Sequence, residues 1–206
     1  MTELTETAKA FALGVIRIGA VKFGEFRLKL HETQPNAPLS PFYIDLRILR
    51  SFPETLETAV HLYGQLASTV RYDLLADVPT AATPAVAILS FISKVPMISP
   101  RLEAKTHGLT NRIDGVYREG QKVLLIDDLI TTAESKLEAI GVLEAKGLQV
   151  SDVIVLVDRQ QGGVDALTKR GYRCHAGLKV KDLFTFYLEN GLLEHAAFER
   201  AFNYVG

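Results

Sequence analysis

The sequence predicts an α/β protein whose mostly parallel sheet is covered by helices on both faces. Two observations indicate this fold class. From residue 52 onward, short uninterrupted apolar runs such as Val123–Ile126 alternate with segments of helical spacing, as is typical of strands buried on both faces. Polar residues also follow three of these strands, in "ADVPT", "IDDLITTAES" and "LVDRQQGG". Open parallel sheets bind ligands at the carboxyl ends of their strands, which is where these polar residues are expected to lie.

The first fifty residues predict a less regular beginning. Apolar spacing indicates a helix over 3–17, and "FGEFRLKL" and "FYIDLRI" are typical of strands. Between them, "HETQPNAPLSP" holds three prolines and an asparagine, which predicts a loop over 31–41.

From residue 52 the predicted elements alternate between helices and strands. A helix over 52–72 begins with Pro53 and Glu54, which favour a first helical turn. The elements that follow are, in order, a strand in "LLADVP", a helix over 84–91 capped by Thr83, a strand in "VPMIS", a long mobile loop over 100–115, a strand in "KVLLID", a helix over 135–146 ended by Gly147, a strand in "VSDVIVLVD" and a helix pair over 184–204.

Composition excludes several classes of protein. The 206 residues fit a single domain, 1–206. A net charge of −1 gives no general attraction to nucleic acid or an anionic membrane. Cys174 is the only cysteine, so no intramolecular disulfide forms. No apolar run approaches the roughly 20 residues of a membrane span, and the N-terminus has no signal-peptide pattern. We therefore expect a cytoplasmic protein.

The segment "KVLLIDDLITTAESK" carries the most informative chemistry. A buried strand runs into Asp127 and Asp128, and the hydroxyls of Thr131, Thr132 and Ser135 follow where a helix begins. Unpaired N–H groups and the dipole at a helix N-terminus favour a phosphate. Beside a phosphate, paired carboxylates either bind a metal or accept hydrogen bonds from vicinal hydroxyls. A phosphorylated sugar presents both features.

At this point the residues resemble a known family. "VLLIDDLITTAES" is similar to the phosphoribosyl pyrophosphate motif of type I phosphoribosyltransferases. Four other segments resemble orotate phosphoribosyltransferases, in the order in which that family has them: "GAVKFGEFRLK", "SPFYIDLR", "RLEAKTHG" and "VLVDRQQGG". The resemblance implies the type I phosphoribosyltransferase fold, with residues 1–50 contributing to an N-terminal hood.

The resemblance also implies a reaction, in which orotate and phosphoribosyl pyrophosphate give orotidine 5′-monophosphate and pyrophosphate during UMP synthesis. Mg²⁺ is expected on the pyrophosphate, with no direct protein ligand. A homodimer is implied, in which the catalytic loop of one subunit reaches the site of the other.

By the matching positions, Lys105, Asp127 and Asp128 are the catalytic residues, and both acids hold the ribose hydroxyls. The 5′-phosphate lies at the turn from Thr131 to Ser135. The orotate site comprises Phe42, Tyr43, Thr131 and Arg159, with Tyr43 stacking on the ring. The full set implied to bind phosphoribosyl pyrophosphate is Lys29, Thr80, Ala81, Arg101, Leu102, Lys105, His107, Asp127, Asp128, Leu129, Ile130, Thr131, Thr132, Ala133, Glu134 and Ser135.

Several positions depart from the family pattern. Ala133 replaces a glycine of the phosphate turn, and Glu134 places a carboxylate beside it. Leu102 stands where the loop has a lysine, and Thr80 and Ala81 replace a tyrosine-containing pair. The hood segment "LKSG" has become "LKLHETQPNAPLS".

These departures leave two alternative functions open. One is a related transferase that acts on another base, and the other is a non-catalytic nucleotide-binding protein on the same fold. Single residues also have plainer interpretations: Tyr43 as core packing, Arg159 as the partner of Asp158 or Asp165, and Lys105 as a surface residue.

Overall fold

A computed structural model describes residues 4–28, 30–102 and 112–205. Its centre is a six-stranded sheet in which five strands are parallel and a short edge strand is antiparallel. The strand order is β5-β4-β3-β6-β7-β8, and the strands are β3 (Leu74–Asp77), β4 (Met97–Pro100), β5 (Ile113–Asp114), β6 (Lys122–Ile130), β7 (Gln149–Asp158) and β8 (Arg173–Lys179). The predicted fold class is confirmed.

Helices cover the two faces of this sheet. The helices of the described residues are α1 (Glu6–Arg17), α2 (Leu30–Thr33), α3 (Pro53–Ala67), α4 (Thr83–Ser93), α5 (Glu134–Glu144), α6 (Gly163–Thr168), α7 (Val180–Glu189) and α8 (His195–Tyr204), of which α2 lies in the loop between the first two strands. The helix predicted over 3–17 and the C-terminal helix pair are confirmed, and the helix predicted over 52–72 ends earlier than expected.

Alternate residues of the central strands pack into two cores, as a strand's period of two requires. Leu124 and Ile126 of β6 belong to one core with α1, α3, α4, α7 and α8, whereas Leu125 belongs to a second core with α5 and α6. Both faces of β6 are thus apolar. This explains why "VLLI" shows no alternation in the sequence.

A separate two-stranded sheet, formed by β1 (Val21–Phe26) and β2 (Ser40–Ile44), packs against α8. The predicted strand "FGEFRLKL" therefore ends early, at Phe26. The predicted strand "FYIDLRI" is wrong after Ile44, because residues 46–51 form a 3₁₀ helix whose first turn is capped by the Asp45 carboxylate, 3.1 Å from the Arg47 amide nitrogen. The loop predicted over 31–41 contains the short helix α2.

Three further differences have local causes. β6 continues three residues beyond Asp127, because Asp127, Leu129 and Ile130 pair with β7. β8 and α6 follow no clear pattern in the sequence; β8 is an edge strand, so most of it is only half-buried. In the loop predicted over 100–115, Ile113 and Asp114 form β5, and residues 103–111 lie outside the described part. Within the described ranges no helix is both long and apolar enough to cross a bilayer.

Candidate active site

The sheet has a switch point between β3 and β6, its two adjacent central strands. The chain leaves β3 through α4 toward β4 on one side, and it returns to β6 on the other side before adding β7 and β8. The loops after β3 and β6 therefore run in opposite directions from the carboxyl ends of these strands and leave a crevice between them. Such a crevice is where open parallel sheets bind ligands.

Asp77 organises the loop after β3. Its fully buried carboxylate accepts hydrogen bonds from Ser99 Oγ at 2.5 Å and from Thr83 Oγ1. The prediction that Thr83 caps α4 is therefore wrong, because its hydroxyl serves Asp77 and the cap position is Ala82. Thr80 and Ala81 lie in this loop, and the Thr80 carbonyl oxygen accepts a hydrogen bond from Arg50 Nη2 at 3.0 Å.

Asp127 and Asp128 lie inside β6 rather than after it. The Tyr63 hydroxyl of α3 donates to the Asp127 carbonyl oxygen at 2.8 Å, which fixes this part of the strand from below. The Asp127 Oδ1 atom accepts the Asp128 amide N–H, with a nitrogen–oxygen distance of 2.8 Å, and the Asp128 Oδ1 atom accepts the Leu129 N–H at 2.7 Å. Both carboxylates are held by the backbone of their own strand.

Lys136 completes this arrangement, and sequence reasoning assigned it no role. Its ammonium group is 2.5 Å from Asp127 Oδ2 and 2.6 Å from the Leu129 carbonyl oxygen. A signal was available, since Lys136, Ala139, Ile140 and Leu143 share the buried face of α5 at helical spacing. A lysine on such a face needs a buried partner.

The environment of Asp128 changes the pH at which this acid ionises. Burial, followed by the negative charge of Asp127, raises the pKa of Asp128 to about 7. Lys136 acts in the opposite direction, but it does not cancel these effects. Asp128 is also the less buried of the two acids. The raised pKa places the ionisation of Asp128 in the neutral pH range.

The hydroxyl turn leads from β6 into α5. Thr132 and Glu134 are exposed, whereas Thr131 and Ser135 are half-buried. α5 begins at Glu134, so the first amide groups of the helix lie at this turn. The side chains of Ile130 and Ala133 are buried in the core, so those positions can reach a ligand only through their backbone. Leu129 is half-buried.

Gly163, at the start of α6, packs tightly against this turn. A Cβ at Gly163 would lie 2.5 Å from Ile130 Cγ1 and 2.7 Å from the Thr131 carbonyl oxygen. We expect Gly163→Ala to push the turn out of place and lower the free energy of unfolding by about 1–3 kcal/mol. Chemical denaturation measures this loss.

The matched control is Gly141→Ala in α5, where nothing lies within 4 Å of the added carbon. Because alanine is the better helix former by up to about 1 kcal/mol, this variant should be as stable as the parent or more stable. Equal stability of the two variants would show that the contact at Gly163 is not constraining.

Arg159 follows β7 directly and is 6% exposed. Its amide N–H donates to the Ile130 carbonyl oxygen at 2.9 Å, and its guanidinium carbon lies 4.8 Å from the ring centre of Phe42. In the part of the chain that the structure describes, Arg159 Nε and Nη2 have no hydrogen-bond partner. Burial lowers the pKa of this arginine. An unpaired buried guanidinium is a site for an anion.

Phe42, which the sequence predicts to belong to the orotate site, presents its side chain to the core, and its part in that site stays a prediction. It is fully buried, with its ring centre 4.9 Å from that of Phe184, and it supports Arg159 from below. Tyr43 is half-buried on the other face of β2, and its ring centre lies 5.7 Å from that of Phe26. The alternation of β2 therefore gives these two neighbours opposite environments.

Arg47 is a second residue that sequence reasoning missed, although "SPFYIDLR" contains it. Its guanidinium pairs with Asp45 at 2.7 Å and donates to the Tyr43 hydroxyl at 3.2 Å. Hydrogen bonding to Asp45 raises the pKa of Arg47 above its ordinary value, and the charge of Asp128 contributes in the same direction. Arg47 thus places positive charge close enough to Asp128 to interact with that carboxylate.

The predicted pyrophosphate residues are placed only in part. Arg101 forms a two-pronged pair with Asp114, in which Nε is 2.7 Å from Oδ2, so that pair must open before Arg101 can bind another anion. Leu102 packs partly buried against the second core. Lys29, Lys105 and His107 lie outside the described residues. Within the described ranges no three metal-ligating side chains gather into a group.

The fold and the site define a class. A parallel sheet with paired acids at its switch point, followed by a turn of hydroxyl side chains at a helix N-terminus, is typical of the phosphoribosyltransferases. In a comparison of structures, the chain matches the UMP synthase of Leishmania donovani with a TM-score of 0.85 and 30% identity, over 98% of this chain and 42% of that one.

Curated relatives give the family. The orotate phosphoribosyltransferase of Pyrobaculum aerophilum is 34% identical over 82% of this chain and 85% of its own length. The bifunctional enzyme PyrF/PyrE of a Nostoc species is 32% identical over 88% of this chain, which spans only 37% of that enzyme. No protein-family model matches the chain. The chain belongs to the orotate phosphoribosyltransferase family.

Proposed function

We propose that this protein transfers the phosphoribosyl group of phosphoribosyl pyrophosphate to orotate, giving orotidine 5′-monophosphate and pyrophosphate. The observation that carries the choice of base is the buried guanidinium of Arg159, whose Nε and Nη2 have no hydrogen-bond partner among the described residues. Orotate has a planar carboxylate, and a guanidinium can bind a carboxylate through two parallel hydrogen bonds. Bases without a carboxylate would leave this charge buried and unpaired, which is costly.

Two further features of the described residues support orotate as the base. Gln161 Oε1 is a buried acceptor without a hydrogen-bond partner in the described part of the chain, and a ring N–H group of the base would satisfy it. Tyr43 lies on the half-buried face of β2 with its hydroxyl held by Arg47. It would stack on the ring, while Thr131 binds the polar edge.

The phosphoribosyl group would lie along β6 and the turn that follows it. The carboxylates of β6 accept hydrogen bonds from the ribose hydroxyls, and the amides at the start of α5, with the Thr131, Thr132 and Ser135 hydroxyls, bind the 5′-phosphate. Glu134 is exposed at the first turn of α5. In that position it interacts favourably with the helix dipole and leaves the phosphate position open.

Bond cleavage builds positive charge on the ribose and negative charge on the departing pyrophosphate. The acids of β6 stabilise the first charge, and cations stabilise the second. Lys105, with Arg101, His107 and Lys29, would supply those cations, and the backbone at Thr80 and Ala81 would border the pyrophosphate. Mg²⁺ would enter with phosphoribosyl pyrophosphate and neutralise part of its charge.

We also propose a homodimer in which the loop that carries Lys105 completes the site of the partner subunit, and a cytoplasmic location. In the sequence, the segment implied to reach across lies between β4 and β5, and β5 is an edge strand of the sheet. Sedimentation of the purified protein and mixing of two variants with strongly reduced activity would test the shared site. A Lys105→Ala variant mixed with an Asp128→Asn variant should regain activity through hybrid dimers.

The ionisation of Asp128 predicts the pH dependence. Its raised pKa, about 7, means that Asp128 carries its full negative charge only above neutral pH. We expect kcat/KM for phosphoribosyl pyrophosphate to fall about tenfold per unit as the pH drops below this value. Asp128→Asn should be less active and should lose this fall in kcat/KM at acidic pH. If the fall persists in the variant, it comes from the substrate or from another group.

Orotate consumption tests the proposed function. Orotate, phosphoribosyl pyrophosphate and Mg²⁺ are mixed with the protein, and the absorbance of orotate is followed. We expect loss of orotate that depends on both substrates. A folded protein that consumes no orotate but uses another base in a panel of purines and pyrimidines would be a related transferase. Nucleotide binding without turnover of any base would indicate a non-catalytic protein.

A further inference from the structure

The two acids of β6 differ in what they can offer a ligand. Both carboxylate oxygens of Asp127 are already engaged, Oδ1 by the Asp128 amide at 2.8 Å and Oδ2 by Lys136 at 2.5 Å. Asp127 is 5% exposed. Asp128 is half-buried, and its one hydrogen bond from the backbone uses Oδ1. Asp128 is therefore the acid with an oxygen for a sugar hydroxyl.

Lys136 reaches Asp127 from α5, the helix whose N-terminus forms the phosphate turn. Its ammonium group also binds the Leu129 carbonyl oxygen at 2.6 Å, so one side chain ties the helix to two points of β6. Because Lys136 and Asp127 are 4% and 5% exposed, neither charge is compensated by water. Each depends on the other.

We propose that Lys136 is a positioning residue that fixes Asp127 in the floor of the site and leaves Asp128 as the acid that binds the ribose hydroxyls. This inference rests on the proposed function for its substrate. The sequence motif assigns the binding of the ribose hydroxyls to both Asp127 and Asp128, whereas this proposal assigns it to Asp128 and gives Asp127 a structural role. It also gives the buried lysine a role in the ionisation of the site.

Four titratable groups lie close enough to Asp128 to interact with its charge: Asp127 on β6, Lys136 on α5, Tyr63 on α3 and Arg47 on the 3₁₀ helix. Burial is the largest cause of the raised pKa of Asp128. The charge of Asp127 raises the pKa of Asp128, and the charge of Lys136 lowers it. Removing the charge of Lys136 should therefore move the acidic limb of the pH–activity profile to higher pH, and removing the charge of Asp127 should move it to lower pH.

Four variants test the proposal: Lys136→Met, Asp127→Asn, their combination, and Lys136→Arg. Profiles of kcat/KM for phosphoribosyl pyrophosphate are recorded against pH for each. We expect Lys136→Met to move the acidic limb up by about 1–3 pH units and Asp127→Asn to move it down. The combination removes one charge of each sign, so its limb should lie between those of the single variants. Lys136→Arg should restore the parental limb.

Shifts of both single variants in the same direction, or a limb unmoved by Lys136→Met, would overturn the proposal. A packing defect alone would lower activity without producing opposite shifts. If the parent protein turned over no orotate, the proposed function would fail while this inference stayed testable. Calorimetric binding of phosphoribosyl pyrophosphate across the same pH range would then show the same opposite shifts, and their absence would reject the role of Lys136.

Discussion

Replacing Arg159 with methionine is expected to raise KM for orotate by about 30- to 1,000-fold, because the orotate carboxylate loses a desolvated ionic partner worth about 2–4 kcal/mol. KM for phosphoribosyl pyrophosphate should change little, since the guanidinium lies under the hood against Phe42 rather than along β6. Steady-state kinetics with each substrate varied in turn separates the two constants.

The fold should tolerate Arg159→Met. Arg159 Nε and Nη2 have no hydrogen-bond partner in the described part of the chain, so their removal leaves no carboxylate unpaired there. Arg118→Met is the control, because Arg118 is exposed and precedes β6, at the amino-terminal ends of the strands and away from the site. An Arg159→Met enzyme with the parental KM for orotate would show that the guanidinium does not bind the base.

Lys105→Ala is expected to lower kcat by about 100- to 1,000-fold, as removal of a group that stabilises developing charge does. Its effect should appear in kcat more than in KM, because the charge on pyrophosphate grows as the bond breaks. Arg101 is paired with Asp114, and Leu102 replaces a loop lysine. The loop therefore has few cations to replace Lys105.

Exposed Lys146, in the turn after α5, provides a matched control. Lys146→Ala removes the same charge far from the carboxyl edge of the sheet and should leave kcat at the parental value. Should Lys105→Ala also turn over at the parental rate, the loop would not stabilise the leaving group, and the resemblance of "RLEAKTHG" to a catalytic loop would be without consequence.

The central sheet could be predicted because its strands follow simple rules. "VLLI" and "VIVLV" are buried on both faces, so their sequences are uninterrupted apolar runs. The hood was predicted less well. In "FYIDLRI" the Asp45 side chain caps a 3₁₀ turn, and this local hydrogen bond overrides the strand propensity of the segment.

At the site, the sequence identified residue types but not their surroundings. Asp127 and Asp128 are adjacent and chemically identical, and only the fold shows that Lys136 engages one of them. Phe42 and Tyr43 are also neighbours, yet one is fully buried beneath Arg159 and the other is half-buried. Such differences depend on contacts between elements far apart in the chain, which single-sequence patterns do not encode.

A crystal structure of the protein with orotidine 5′-monophosphate tests the central claim most directly. We predict the 5′-phosphate at the turn over residues 131–135, a ribose hydroxyl on Asp128, and the base carboxylate within hydrogen-bonding distance of Arg159. A nucleotide bound elsewhere, or one bound with its carboxylate away from Arg159, would contradict the account.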